Sequence, residues 1–360
     1  MPPNPTSGPP GTPTDAPPQG RVTRLLKIVA GLTAIFSLAL AARQVVVLIS
    51  DYRARQTRVR ELLATGALQS RAGDYPATWT ALGQAFRIDP GNIAVRSARE
   101  DAAMAWLDNA RTTPATPTFT ALADTLAPVL TEGLLHADSG RKADLLAHLG
   151  WAEFLRWREG RRDLSPPARY REALGLDAHN PYAHAMLGHW LLWQSDSVSQ
   201  AAAHFAEALS AGRARDYVRH MQFSALGNDH SGASAVELLR VANEMRVAGD
   251  SVPEYARSGL WSAFAGPFLS PVPDPSPAQV LAVVPPAELL ATYRWLFDGS
   301  GYREAQGTQY SYQLAVLQEG AGDTAGALAG YRALLAENQA GGSTLRPRLT
   351  QAVARLSRRH

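Results

Sequence analysis

The chain has 360 residues, is 46% hydrophobic, carries a formal net charge of +3 and contains no cysteine. Without cysteine there can be no disulfide, zinc thiolate or cysteine nucleophile. The arginines are scattered among Asp and Glu with no basic stripe of interleaved aromatics, which argues against nucleic-acid binding.

The basic side chains are almost all arginine, with Lys27 and Lys142 the only lysines. Together with abundant Ala and Gly, this bias points to a GC-rich bacterial genome. Residues 1–20 are rich in Pro, Gly and Thr and carry one charged side chain, Asp15. Such a segment cannot bury enough apolar surface to offset ordering, and it is expected to be a disordered tail.

Leu25 to Ile49 is long and apolar enough for a transmembrane helix, which needs about 20 residues. Lys27 can snorkel at one end. Arg43 is the costly residue, at roughly 2.5–3.5 kcal/mol if held at the bilayer centre. The helix therefore tilts to bring Arg43 to headgroups, or the membrane core ends near Ala42. The run is long for a signal-peptide core and lacks a small-x-small cleavage site, so an uncleaved anchor is expected. Arg53, Arg55, Arg58 and Arg60 outnumber Arg21, Arg24 and Lys27, which by count places the following domain in the cytoplasm. Long domains translocate regardless of charge, and keeping Arg21 and Arg24 inside avoids moving them across. The expectation adopted is a helical domain outside the cytoplasm.

Beyond the anchor the pattern is helical throughout. Asp51 to Arg60 continues the membrane helix into a first hairpin. Helices follow over Asn92 to Ala110 and over Phe119 to His136 despite Pro128, with a Thr/Pro turn at Thr112 to Thr118 between them. Pro253 to Phe264 is a short amphipathic helix. Pro267 to Pro277 holds five prolines and reads as an irregular crossing, because proline removes a backbone donor and cannot continue a helix. Ala287 to Phe297 resumes helix, a last hairpin spans Gln309 to Asn338, and Leu345 to Arg359 forms an Arg-rich capping helix. The chain thus divides into a tail (1–20), an anchor (21–50), helical repeats (51–265), a Pro-rich connection (266–286) and a C-terminal hairpin with its cap (287–360).

One unit recurs. Tyr170 and Ala173 sit three apart, as do Phe205 and Ala208, which stacks a ring beside a small residue on one helix face. Ala173, Ala208 and Ala242 recur at intervals of about 34 residues. Leu149-Gly150 and Leu187-Gly188 stand in the preceding helices, and Gly73-Asp74-Tyr75 and Gly322-Asp323 stand in turns. First helices are expected over Glu61 to Arg71, Asp144 to Trp157, Pro181 to Trp193 and Tyr310 to Glu319. The pattern resembles the tetratricopeptide repeat, a helical hairpin of about 34 residues. The resemblance covers Val59 to Asn92, Ala143 to Arg215 and Thr308 to Gly341, and is weaker over Asp216 to Gly249. Where that family commonly has tryptophan in the first helix, His184 stands. Arg161 to Pro166 reads as an insertion in one turn. The expected fold is all-α: a solenoid of tetratricopeptide-like hairpins preceded by one transmembrane helix, with a generic all-α bundle as the alternative.

No phosphate-binding loop, His-Glu-x-x-His or Gly-x-Ser-x-Gly motif is present, so neither catalysis nor a cofactor is expected. His179, His184, His189 and His204 form the one constellation to weigh as a metal site. His184 and His189 lie five apart on one helix, a spacing that points them away from each other. The resemblance implies a partner groove lined by first helices, with Trp151, Phe154 and Leu155 from one repeat, Tyr182, His189, Leu192 and Trp193 from the next, and His179 just before. Aromatic clusters on such a surface mark recognition. The alternative for these rings is packing between adjacent hairpins, which is the role expected of Trp157 and Trp190. The implied function is a scaffold that tethers a protein or peptide partner to a bacterial inner membrane, in envelope assembly or secretion. The rivals are a self-associating structural subunit and a metal-dependent enzyme built on the four histidines.

Overall fold

The architecture was obtained as a computed structural model that describes residues 19–110, 118–194, 197–229, 231–270, 272–337 and 345–358, with side chains from Arg24 onward. Residues 1–18 of the Pro-rich tail, residues 112–117 of the Thr/Pro turn and Arg359 at the end of the capping segment lie outside the described residues. Every described element is a helix. The helices form two compact units, one ending at Ala98 and one beginning at Arg99.

In the first unit, α1 runs unbroken from Gln19 to Arg71. It joins the apolar stretch to the first hairpin without a hinge, as continuous helix propensity through Asp51 to Arg60 requires. An 18-residue window of it has a mean hydropathy of 2.1, and no part of that window is buried. Ile35 is 67% and Phe36 73% exposed. The helix is long and apolar enough to cross a bilayer. Its lower end packs on α2 (Tyr75–Ile88), which Asp74 caps by accepting from the Ala77 N–H at 3.1 Å. Val59, Leu62, Ala85 and Val95 form the small core of this unit.

The second unit contains most of α3 (Ile93–Asn109), then α4 (Phe119–Gly133), α5 (Ser139–Arg158), α6 (Pro166–Leu176), α7 (Pro181–Trp193), α8 (Val198–Ser210), α9 (Arg215–Asn228) and α10 (Gly232–Ala248). It continues with α11 (Glu254–Leu269), α12 (Pro277–Val283), α13 (Pro286–Phe297), α14 (Tyr302–Gln306), α15 (Thr308–Gly320), α16 (Thr324–Glu337) and α17 (Arg346–Leu356). Packing follows chain order: α5 meets α6 and α7, α7 meets α8 and α9, and α9 meets α10 and α11. Contacts between near neighbours in sequence are the mark of stacked hairpins.

Glycines set the spacing within hairpins. A Cβ placed on Gly150 of α5 would lie 2.6 Å from the Tyr170 ring of α6. One placed on Gly188 of α7 would lie 3.1 Å from the Phe205 ring of α8. Tyr170, Ala173 and Ala208 are fully buried, and Phe205 is 1% exposed, so the ring-and-alanine face of each second helix rests on the glycine of the first.

Two expectations shift. Helix α11 passes through Pro267 and ends only at Leu269. The proline lies in the last turn of the helix. The Pro-rich connection (266–286) also contains a helix, α12, which begins at the last proline of the crossing and is capped by a reciprocal Ser276–Gln279 box with Pro277 at its first position, where a missing N–H costs nothing.

The glycine contact is testable. Gly150→Ala should destabilise the protein by about 1–3 kcal/mol through overpacking against the buried Tyr170 ring. Gly175→Ala, whose Cβ would meet nothing within 4 Å, should stabilise by about 1 kcal/mol or less through helix propensity. Thermal melts followed by circular dichroism should separate the two in opposite directions.

Candidate functional site

Helices α5, α7, α9 and α11 present one stripe each to a common cleft of about 360 Å³. On α5 the stripe is Trp151 and, seven residues on, Arg158; on α7 it is His189 and Trp193; on α9, Phe223 and Gly227; on α11, Tyr255 and Gly259. Spacings of four and seven place side chains on one face of a helix, and Leu238 of α10 adds to the lining.

The wall near α5 and α7 is aromatic. Trp151 stacks on Phe154 with centroids 4.8 Å apart, and His189 meets both edge-on at 5.1 Å. Trp193 lies edge-on to Phe154 at 5.4 Å and stacked with His189 at 6.0 Å. Each such pair contributes about 0.5–1.5 kcal/mol beyond area burial. The indole of Trp151 is buried, and its Nε1–H donates to the Leu107 carbonyl at 3.0 Å, so its polar atom is satisfied. Trp157 and Trp190 pack on each other at 5.0 Å.

Arg158 is the cation of the cleft. Its guanidinium lies 5.2 Å from the Trp193 ring centroid and 4.9 Å from that of Phe119. Burial pulls its pKa below the ordinary arginine value, with Glu159 opposing. The Glu159 carboxylate instead accepts from the backbone N–H groups of Phe119 and Thr120, at 2.9 and 2.8 Å, at the start of α4. Neighbouring arginines are paired: Arg156 with Asp124 at 2.7 Å, Arg169 with Glu153 at 3.2 Å. Among the described residues Arg158 has no carboxylate at ion-pair distance.

Of the groove residues expected from the sequence, Trp193 is half-buried at the cleft; Trp151 and His189 line its wall but are themselves only 1% and 3% exposed, and Phe154, also 1% exposed, packs against all three. Leu155 is fully buried and Leu192 is 3% exposed; both are core, because they sit on the side of α5 and α7 turned toward the neighbouring helices. Tyr182 lies apart, between His148 at 4.7 Å and Tyr217 at 5.1 Å. His179 is exposed and meets Glu207 at 2.5 Å. Sequence reasoning did not pick out Phe223, Gly227, Tyr255 and Gly259, which fall where the repeat pattern fades. It also passed over Arg158, although the step of seven from Trp151 placed it on the same stripe.

The four histidines do not converge. His184 donates from Nε2 to the Ala178 carbonyl at 2.9 Å, so its Nδ1 accepts from Nδ1–H of His204 at 2.9 Å. Burial, then His184, lowers the His204 pKa. His189 belongs to the aromatic wall. Among the described residues no group of three or more His, Asp or Glu side chains is arranged to hold a metal ion.

A polar network borders Tyr182. The Asp144 carboxylate accepts from Asn180 at 2.7 Å and from both terminal nitrogens of Arg213 at 3.0 and 3.1 Å. Asn180 also caps α7 by accepting from the Ala183 N–H at 3.0 Å. His148 is buried between the Asp144 carbonyl at 2.6 Å and the Asp108 carboxylate at 3.3 Å. Burial favours neutral His148, but Asp108 and then Asp144 outweigh it, and its pKa is raised.

No family model matches the chain, and no curated protein matches it.

The His148 environment sets a pH dependence. A histidine with a raised folded pKa contributes stability that is complete below the unfolded value of about 6.5. That contribution is lost as pH rises through the folded value. Melting temperature should therefore decline as pH rises above about 6.5, and His148→Gln should flatten that decline. An identical slope in both proteins would show that other groups carry it.

Proposed function

We propose that the chain is a membrane-tethered, non-catalytic interaction scaffold of the tetratricopeptide-repeat kind. Its apolar helix anchors it in a bacterial inner membrane, and its hairpins hold a protein or peptide partner outside the cytoplasm. The observation that carries the reading is the cleft contributed by α5, α7, α9 and α11 together, with a half-buried Trp193 at its aromatic end. Interfaces are anchored by Trp, Tyr and Arg in desolvated pockets, and this cleft offers all three. Support for the repeat class comes from the glycine-on-ring contacts and from helices packed in chain order. Support for the anchor comes from the unburied apolar run of α1.

Crosslinking in membranes, followed by identification of what is attached to the full chain, tests the scaffold reading. A second protein should be recovered with wild type, and Trp193→Ala should cut its yield at least several-fold while helicity is unchanged. Recovery of only a second copy of this chain would favour a self-associating subunit. A Trp193→Ala chain that loses helicity would make Trp193 a core residue.

The side of the membrane is tested by C-terminal fusions. Alkaline phosphatase should be active when fused there, and a fluorescent cytoplasmic reporter should be dark. The reverse result would place the hairpins in the cytoplasm.

A further inference from the structure

The end of α3 is fastened to α5 by two side chains of α5 that stand three residues apart. The Trp151 indole donates to the Leu107 carbonyl at 3.0 Å. His148 meets the carboxylate of the next residue, Asp108, at 3.3 Å. His148 is 1% exposed, and both of its ring nitrogens face oxygen. Nδ1 lies 2.6 Å from the Asp144 carbonyl, which can only accept, so Nδ1 carries a hydrogen. A neutral ring would then aim the Nε2 lone pair at a carboxylate. Only the imidazolium, a donor at both nitrogens, satisfies the two acceptors at once.

No other group around the ring takes over this role. Arg213, from the turn after α8, is held by the Asp144 carboxylate. Tyr182 of α7 lies 4.7 Å from the ring and packs on Tyr217 of α9. Burial, then Asp108 and Asp144, push the Tyr182 pKa up, so it stays neutral. Asp101 of α3 pairs with Arg141 at 2.7 Å. Among the described residues Asp108 has no other cation at ion-pair distance.

We propose, resting on the scaffold reading, that His148 is a proton-controlled latch on the cleft: protonated, it holds the end of α3 on α5 and keeps the Trp151 indole in the cleft wall; deprotonated, it repels Asp108 and releases that end. The Asp108 side chain is 22% exposed, so it has a route to water when the pairing fails. Its departure carries the Leu107 carbonyl away, and a buried indole N–H without an acceptor is strongly disfavoured. Trp151 then has to turn, and it packs on Phe154 and His189, the rings behind Trp193. Burial opposes the proton on His148, but Asp108 and Asp144 outweigh it. The latch is therefore closed at low pH and opens as pH rises through a value above the ordinary histidine one.

The test uses the purified full chain in detergent with isotope-labelled tryptophan. The indole N–H resonance that is absent in Trp151→Phe belongs to Trp151. In wild type that resonance should shift along one titration curve with its midpoint above about pH 6.5. Asp108→Asn should hold it at the low-pH position throughout, because an amide donates to neutral Nε2 and accepts from the imidazolium. His148→Gln should also remove the titration, with helicity checked by circular dichroism in both variants. In membranes, the yield of crosslinked partner should fall several-fold across the same midpoint in wild type and stay level in Asp108→Asn. A Trp151 resonance that ignores pH, or that titrates alike in Asp108→Asn, overturns the latch even if a partner is captured. A partner yield that stays level while the resonance moves overturns it too. If the resonance titrates as expected and no partner is recovered at any pH, the scaffold reading fails and the control of Trp151 by His148 stands.

Discussion

The structure depends on two places where a ring stands in the space of a missing side chain. Tyr170 occupies the position next to Gly150, and Phe205 that next to Gly188. Each contact draws the two helices of a hairpin closer than any residue with a Cβ permits. It also fixes rotation. Successive residues on a helix are turned by about 100°, so once Gly150 faces α6, Trp151 must face elsewhere. Trp151 then meets His189 and Phe154, and Arg158 is carried to the same side two turns later. The cleft is thus a consequence of hairpin packing rather than a feature laid over it.

The same logic explains the polar side of the unit. Asn180 caps α7 and also donates to Asp144 at the start of α5, and Arg213 reaches back to Asp144 from the turn after α8. Two turns are tied to α5 through one carboxylate. Side chains that satisfy a helix end and bridge to a neighbour specify register at little entropic cost, because the cap has already restricted them. His148 beneath this network has a raised pKa because Asp108 and Asp144 outweigh its burial.

Much of this was legible in the chain. Pro181 at a helix start, with Asn180 before it and Trp193 before a polar turn, gave α7 its bounds, and the ring-alanine spacing gave α6 and α8. What failed was the reading of proline. Ser276-Pro277 opens α12, where proline suits the first turn, and Pro267 closes α11 without breaking it. Composition alone does not separate a proline that starts a helix from one that ends it; the cap partner does, here Gln279. The family resemblance implied a groove containing Trp151, His189 and Trp193, and these three border the cleft. It could not say that Leu155 and Leu192 turn into the core, because stripe width depends on how closely the next hairpin approaches. Nor could it recruit α9 and α11, whose small residues Gly227 and Gly259 leave no mark in a pattern built on large ones.

Arg158 remains charged without a carboxylate because other fields act on it. It lies in the last turn of α5, where the macrodipole favours a cation by roughly 0.3–1 kcal/mol. The faces of Phe119 and Trp193 add attraction of similar size. These terms are smaller than the pairing that Arg156 and Arg169 enjoy, and arginine cannot shed its proton to escape the cost of burial. The helix C-terminus and the two rings therefore hold a cation in place but leave its hydrogen-bonding fork unmatched. Orientation by rings rather than by an internal acid fixes Arg158 in place.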